Sequence, residues 1–236
     1  MATSPKVSRL LLRVKTFPGP EPALRGLAFA REVVENQLAE ARATEVKRLR
    51  AEHAASAEWI HPDDAELDVY EVGEKVTRLL PRIFRTGFML VMWSTFETKI
   101  KDILHYVAQQ KQQPIPAKFF KSKNIFDASE QYLQQTMSLT AFPDSSVRAA
   151  LNDLSQVRNA LIHHSGKRSE LPTALCSLSE PDLERAGFLL ERDLHNAYAV
   201  PTEEYMQAAL QNIDAYLSSL SNRVFNALHP PPHGDA

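Results

Sequence analysis

One segment constrains the fold more than any other. Between Arg82 and Gln110 the chain carries Ile83, Phe84, Phe88, Leu90, Val91, Trp93, Phe96, Ile100, Ile103, Leu104 and Val107, with no proline among them. At about 100° per residue these side chains occupy most of a helix's circumference in its first half, and a helix apolar on nearly all sides has to be enclosed by other elements. The pattern predicts the central helix of a bundle. Glu97 follows Phe96 inside this apolar stretch. A carboxylate there reaches solvent or meets a cation, because burying it unpaired is costly.

The remaining segments supply the enclosing helices. From Glu21 to Ser56 runs a long mixed-charge amphipathic stretch with Leu24, Leu27, Val34, Leu38, Val46 and Leu49. It reads either as a solvated helix packed on one face or as a helix dedicated to a partner. His61-Pro-Asp-Asp64 predicts a turn and cap, a short helix follows to Leu80, and Pro81 suits the start of the central helix. Further helices are predicted near Asp127 to Leu139 and from the Pro143-Asp-Ser-Ser146 caps to Ser165-Gly166-Lys167, where glycine supplies the stop. The chain then reads as irregular through Pro172 and Pro181, with a short extended pair within Ala186 to Val200. Pro201-Thr-Glu-Glu opens a last helix to about Leu228, capped by Thr202, with Met206, Leu210, Ile213, Leu217, Leu220 and Val224 inward.

Only 7 of the 236 residues are glycine, too few for the repeated tight turns of a sheet protein, which disfavours all-β and Rossmann architectures. The expected fold is therefore all-α, a bundle of about five helices with a long N-terminal helical extension. Its expected organisation is a lead-in and long helix over 1–60, the bundle over 61–228 and a flexible tail over 229–236.

Charge and cysteine content narrow the functional classes. With 27 Lys+Arg against 29 Asp+Glu the formal net charge is −2, so contact with nucleic acid has to come from a local patch. Lys118-Phe-Phe-Lys-Ser-Lys123 interleaves basic and aromatic residues. Lys118, Lys121 and Lys123 could contact RNA phosphates while the rings stack on bases. Alternatively, the phenylalanines plug the core and the lysines stay in water. Cys176 is the only cysteine, which leaves no internal disulfide, zinc cluster or CxxC pair and fits a reducing cytoplasm. Leu10, Leu11 and Leu12 are bracketed by Arg9 and Arg13, and no apolar stretch approaches the roughly 20 residues needed to span a bilayer. No membrane partner, metal or cofactor is expected.

The helix ending at Ser165-Gly166 carries the chemistry. Val147, Ala150, Leu151, Leu154, Val157 and Leu161 form one apolar stripe, and by periodicity Arg158 falls in its middle. Asn159 and His163 stand four apart on an adjacent face, and His164 points in a third direction. An arginine keeps its charge and offers five donors, so on an apolar face it needs a carboxylate, a phosphate or a subunit boundary. An internal ion pair with Glu97 or Asp102 is one solution. For His163 the structural alternative is capping of the helix C-terminus.

The segment Leu154-Ser-Gln-Val-Arg158-Asn159-Ala-Leu-Ile-His163-His164-Ser-Gly resembles the R-x4-6-H signature of the HEPN (higher eukaryotes and prokaryotes nucleotide-binding) family. Val91-Met-Trp93-Ser-Thr-Phe96-Glu97 is similar to the aromatic-rich helix that precedes the signature in the branch grouped with stress-associated ribonucleases. The likeness covers about Pro81 to Leu228. It implies a HEPN-like helical bundle that dimerises through the signature helices and acts as a metal-independent endoribonuclease in a stress, toxin–antitoxin or phage-defence setting, with an antitoxin or regulatory protein as a further partner. An inert HEPN scaffold and a nucleotide-sensing domain are the alternatives. One subgroup carries a tyrosine two residues after the histidine, the site of silencing by nucleotidyl modification. Ser165 stands there in this chain, which argues against that form of antitoxin.

The residue types suit the implied reaction. RNA brings its own nucleophile, the 2′-hydroxyl, so cleavage needs a proton acceptor and donor and stabilisation of the added negative charge. Imidazole, with an ordinary pKa near 6.5, is suited to move the proton, which makes His163 the candidate acid–base. Arg158 can form two parallel hydrogen bonds to phosphoryl oxygens, and Asn159 can orient the imidazole or bind phosphate or ribose. Glu97 is the candidate restraint on Arg158, and His164 a candidate support. Arg158 and His163 lie about 140° apart on one helix, which is wide for a single phosphate. Two signature helices packed across a two-fold axis would share the work.

Overall fold

The computed structural model describes residues 17–55, 70, 80–116, 125–140, 145–192 and 196–230. Among the described residues the longer helices are α1 (Glu21–Ala55), α2 (Leu80–Lys111), α3 (Ile125–Met137), α4 (Ser145–His163) and, after two short helices α5 (Thr173–Cys176) and α6 (Glu180–Arg185) and a hairpin of β1 (Phe188–Arg192) and β2 (Ala197–Pro201), the final α7 (Glu203–Leu228). The all-α reading holds, with the predicted extended pair as a two-stranded antiparallel sheet. The predicted turn at His61 to Asp64, the short helix leading to Leu80, and Lys118, Lys121 and Lys123 lie outside the described residues.

Helix α2 is the centre of the bundle and packs against α1, α3, α4, α7 and β2. Its Met89, Met92, Phe96, Ile100, Ile103 and Val107 are fully enclosed, and they meet Met206, Ile213, Tyr216, Leu217, Leu220 and Val224 of α7. Within α2 the Trp93 ring meets Phe96 edge to face at 5.4 Å, and Phe96 meets Tyr216 of α7 in the same way at 5.6 Å, linking the two helices. Each such side chain contributes about 1.5–3 kcal/mol by leaving water. The first half of α2 departs from the all-round burial its composition predicts: Ile83, Phe84 and Val91 are exposed. The helices around α2 cover an arc of it, and those three lie on the open side.

Helix α1 packs on α2 and α7, and only its first turns, through Leu24 and Leu27, enter the main core. Farther along, Phe29 and Val33 face water, and two ion pairs fasten it: Arg31 to Glu203 at 3.2 Å and Glu35 to Arg85 at 2.8 Å.

The stretch after Lys167, expected to be irregular, holds instead a 3-10 turn (Arg168–Glu170) and the two short helices. Proline produces both helices by occupying the positions where its missing N–H does no harm: Pro172 directly precedes α5, and Pro181 sits in the first turn of α6 behind the cap Ser179. Thr202 caps α7 as predicted, its hydroxyl accepting from the Tyr205 N–H at 3.3 Å.

Candidate functional site

Helix α4 buries Leu151, Leu154, Val157, Ala160 and Leu161 against α2 and α7. Arg158 is half-buried at the margin of this stripe rather than enclosed at its middle. Its Nε is buried and has no hydrogen-bond partner, while its tip reaches the surface, where Nη1 donates to Oδ1 of Asn159 at 2.8 Å. A long side chain on the edge of an apolar face behaves this way, laying its stem on the core and keeping its charge wet. Asn159, His163 and His164 are exposed.

The internal ion pair offered as one solution for Arg158 is not formed with Glu97 or Asp102. Glu97 accepts from the Trp93 indole N–H at 2.8 Å, and Asp102 pairs with Lys99 at 3.3 Å. The indole resolves the problem of a carboxylate in an apolar helix, because Trp93 lies one turn before Glu97 on the same face. Among the described residues, neither carboxylate meets Arg158, so Glu97 does not restrain it here. His164 Nε2 lies 3.8 Å from Glu170 Oε2, and its ring stands edge-on to that of His163 with centroids 6.5 Å apart.

The bond to Asn159 alters the geometry expected from periodicity. On the helical wheel Asn159 falls between Arg158 and His163, about 100° from the first and 40° from the second. A guanidinium tied to the Asn159 side chain is drawn round the helix toward the imidazole face. Arg158, Asn159 and His163 thus share one outward side of α4 near its C-terminus. Among the described residues no carboxylate meets this charge and Asn159 is its one hydrogen-bond partner, an arrangement suited to a phosphate.

Arg82 was not singled out by sequence reasoning, and the extended pair was expected only as an element of the fold, yet together they hold the end of α4. The turn after His163 runs through two left-handed residues, Ser165 at φ 54° and Gly166 at φ 80°. A Cβ on Gly166 would stand 2.8 Å from the Ala199 carbonyl oxygen, so glycine is required by both conformation and contact. The Ala199 N–H donates to the Gly166 carbonyl at 2.8 Å, and Lys167 bridges to Tyr198. The only sequence hint of Arg82 was its place directly after Pro81 at a helix start.

Clefts among the described residues lie on another part of the bundle. Three clefts of about 430, 440 and 410 Å³ share Arg85 and Leu189, and none is lined by Arg158, Asn159 or His163. Their walls hold more glutamates than arginines: Arg42, Arg85 and Arg185 stand among Glu32, Glu184 and Glu204 and further carboxylates that are already paired, and the Arg85 charge is matched by Glu35. Such walls repel a polyanion. Among the described residues no group of three or more His, Cys, Asp or Glu side chains is placed to hold a metal ion, and no helix is long and apolar enough to cross a membrane.

Comparison with known proteins finds no matching family model, no matching curated protein and no matching solved structure.

Proposed function

We propose that this chain is a HEPN-type endoribonuclease that cleaves RNA through the substrate's own 2′-hydroxyl, without a metal. We place it in the cytoplasm, in a stress, toxin–antitoxin or phage-defence setting, under an antitoxin or other regulatory protein. The observation that carries the reading is the state of Arg158: its guanidinium is held toward the surface by Asn159, no described carboxylate neutralises it, and an exposed imidazole stands on the same side of the helix.

In the proposed reaction His163 accepts the 2′-hydroxyl proton, O2′ attacks phosphorus, and the O5′ bond breaks as the leaving oxygen takes a proton. Arg158 stabilises the charge added to the phosphoryl oxygens, and Asn159 keeps the guanidinium on the imidazole side. Proton delivery to O5′ from the opposite side calls for a second acid, which a two-fold partner's imidazole supplies when the Arg158 to His163 segments of two chains meet. The products are a 2′,3′-cyclic phosphate and a 5′-hydroxyl.

The test is the purified protein with a folded RNA such as tRNA in the presence of EDTA, with the fragment ends identified. Cyclic phosphate ends, and loss of cutting when the scissile nucleotide is 2′-deoxy, support the reading. Cleavage that EDTA stops, or that proceeds on the deoxy substrate, points to a metal-activated water instead. No cleavage of any RNA leaves the inert scaffold. The dimer is tested by light scattering and by mixing Arg158→Ala with His163→Ala. A strictly monomeric protein that still cuts refutes the shared site.

A further inference from the structure

Arg82 stands in the first turn of α2, and its half-buried side chain makes three contacts that converge on the end of α4. Nη2 donates to the Ser165 carbonyl at 2.9 Å, Nη1 pairs with Glu191 Oε2 at 3.2 Å, and the guanidinium carbon lies 4.7 Å from the centre of the Tyr198 ring. Glu191 and Tyr198 are directly opposed across the hairpin. One planar cation therefore joins the start of α2, both strands and the backbone two residues after His163. The geometry uses the fork and flat face that distinguish arginine from lysine. The Ser165 carbonyl belongs to a left-handed residue in the turn that closes α4, where the Gly166 N–H donates back to the Ala160 carbonyl at 2.9 Å, and Arg82 ties this turn to the hairpin.

We propose that Arg82 is a positioning residue for His163, fixing the imidazole by pinning the turn that follows it to the hairpin. The proposal rests on the ribonuclease reading for its catalytic consequence but not for its structural content. Arg82 does not touch RNA in this scheme. Its loss leaves Arg158 and Asn159 undisturbed and loosens the turn after α4, which then rests on Ala199 and its own backbone bonds, so His163 spends less time where the proton is.

The test combines kinetics with a direct view of the ring. In Arg82→Gln, kcat for RNA cleavage is expected to fall by up to about a hundredfold, with KM within about twofold, the size of loss that misplacing a catalytic group produces. Arg82→Lys, which keeps the charge and loses the fork, is expected to recover only part of kcat. In the full-length wild-type protein the His163 imidazole gives one set of side-chain nitrogen resonances, assigned by its loss in His163→Ala. In Arg82→Gln it is expected to shift or broaden, with faster amide exchange at residues 164–167.

Unchanged His163 resonances and unchanged exchange in Arg82→Gln overturn the proposal, as does a loss carried in KM alone. Should the wild type cut no RNA, the ribonuclease reading falls, and the resonance and exchange measurements decide the role of Arg82 by themselves. Should Arg82→Gln fail to fold, Glu191→Gln and Tyr198→Leu each remove one contact and are expected to produce the same spectral change in weaker form. A normal His163 signal in both variants counts against the proposal.

Discussion

Two arginines on neighbouring helices are treated in opposite ways. Arg85 of α2 lies in the seam with α1, where Nε and Nη2 each donate at 2.8 Å to the two oxygens of Glu35 in a fork-to-fork pair, and both side chains are largely covered. Hydrogen bonding to Glu35 raises the guanidinium pKa above its ordinary value, outweighing the opposing effect of burial. Arg158 of α4 also has a covered stem, yet its only hydrogen-bond partner among the described residues is an amide. In the first case the fold supplies the anion and the charge fastens helices together. In the second the described residues supply no anion, and it is this state that the proposed ribonuclease reading uses. The two arginines differ in their partners more than in their burial, since neither is fully enclosed.

The sharpest way to break this contrast is to remove each group of the unmatched region. On the proposed reaction, Arg158→Ala and His163→Ala are expected to lower RNA cleavage by about a hundredfold or more while changing unfolding free energy by only about 1 kcal/mol, since His163 is exposed and Arg158 packs only its stem on the core. Steady-state cleavage beside urea unfolding checks both halves. A loss of several kcal/mol in Arg158→Ala would place it with Arg85 instead.

The seam should respond the other way. Arg85→Ala is expected to cost about 2 kcal/mol in urea unfolding, because it leaves the Glu35 carboxylate covered and alone, with cleavage unaffected. Replacing both partners, as Arg85→Met with Glu35→Leu, should recover most of that loss. A smaller effect sharpens the comparison from the side of α4. Asn159→Asp gives Arg158 the carboxylate it lacks, and cleavage should fall about tenfold while stability stays level or rises by about 0.5 kcal/mol. The smallest effect belongs to Glu97→Gln: glutamine still accepts from the Trp93 indole, so cleavage within about twofold of wild type and a stability change near 0.5 kcal/mol are expected. A large loss of cleavage there would restore a link between Glu97 and Arg158.

Much of the fold was legible because it rests on periodicity. The boundaries of α1, α2 and α7 follow from apolar spacing, proline and the Thr202 cap, all of which act within a turn or two. The candidate residues Arg158, Asn159 and His163 were legible as a local pattern on one helix. The partners of Glu97 and Arg158 were harder to read. Both settled on a neighbour within one turn, Trp93 and Asn159, where sequence reasoning placed their charges across the helix interface. The role of Arg82 was out of reach for another reason. Its contacts with Ser165, Glu191 and Tyr198 join positions more than 80 residues apart, and no spacing along the chain encodes them. Exposure of Ile83, Phe84 and Val91 likewise depends on which arc of α2 its neighbours cover, a property of the assembled bundle.

The left-handed turn after His163 also sets an order of events in time. Its clamp is Ala199, which hydrogen-bonds Gly166 from the second strand of the hairpin, just ahead of the final helix. A ribosome delivers the chain from its N-terminus, so α4 emerges well before the strand that secures its last turn. Over the 36 residues from His163 to Ala199 the nascent chain therefore carries the histidine without the strand that clamps the turn after it.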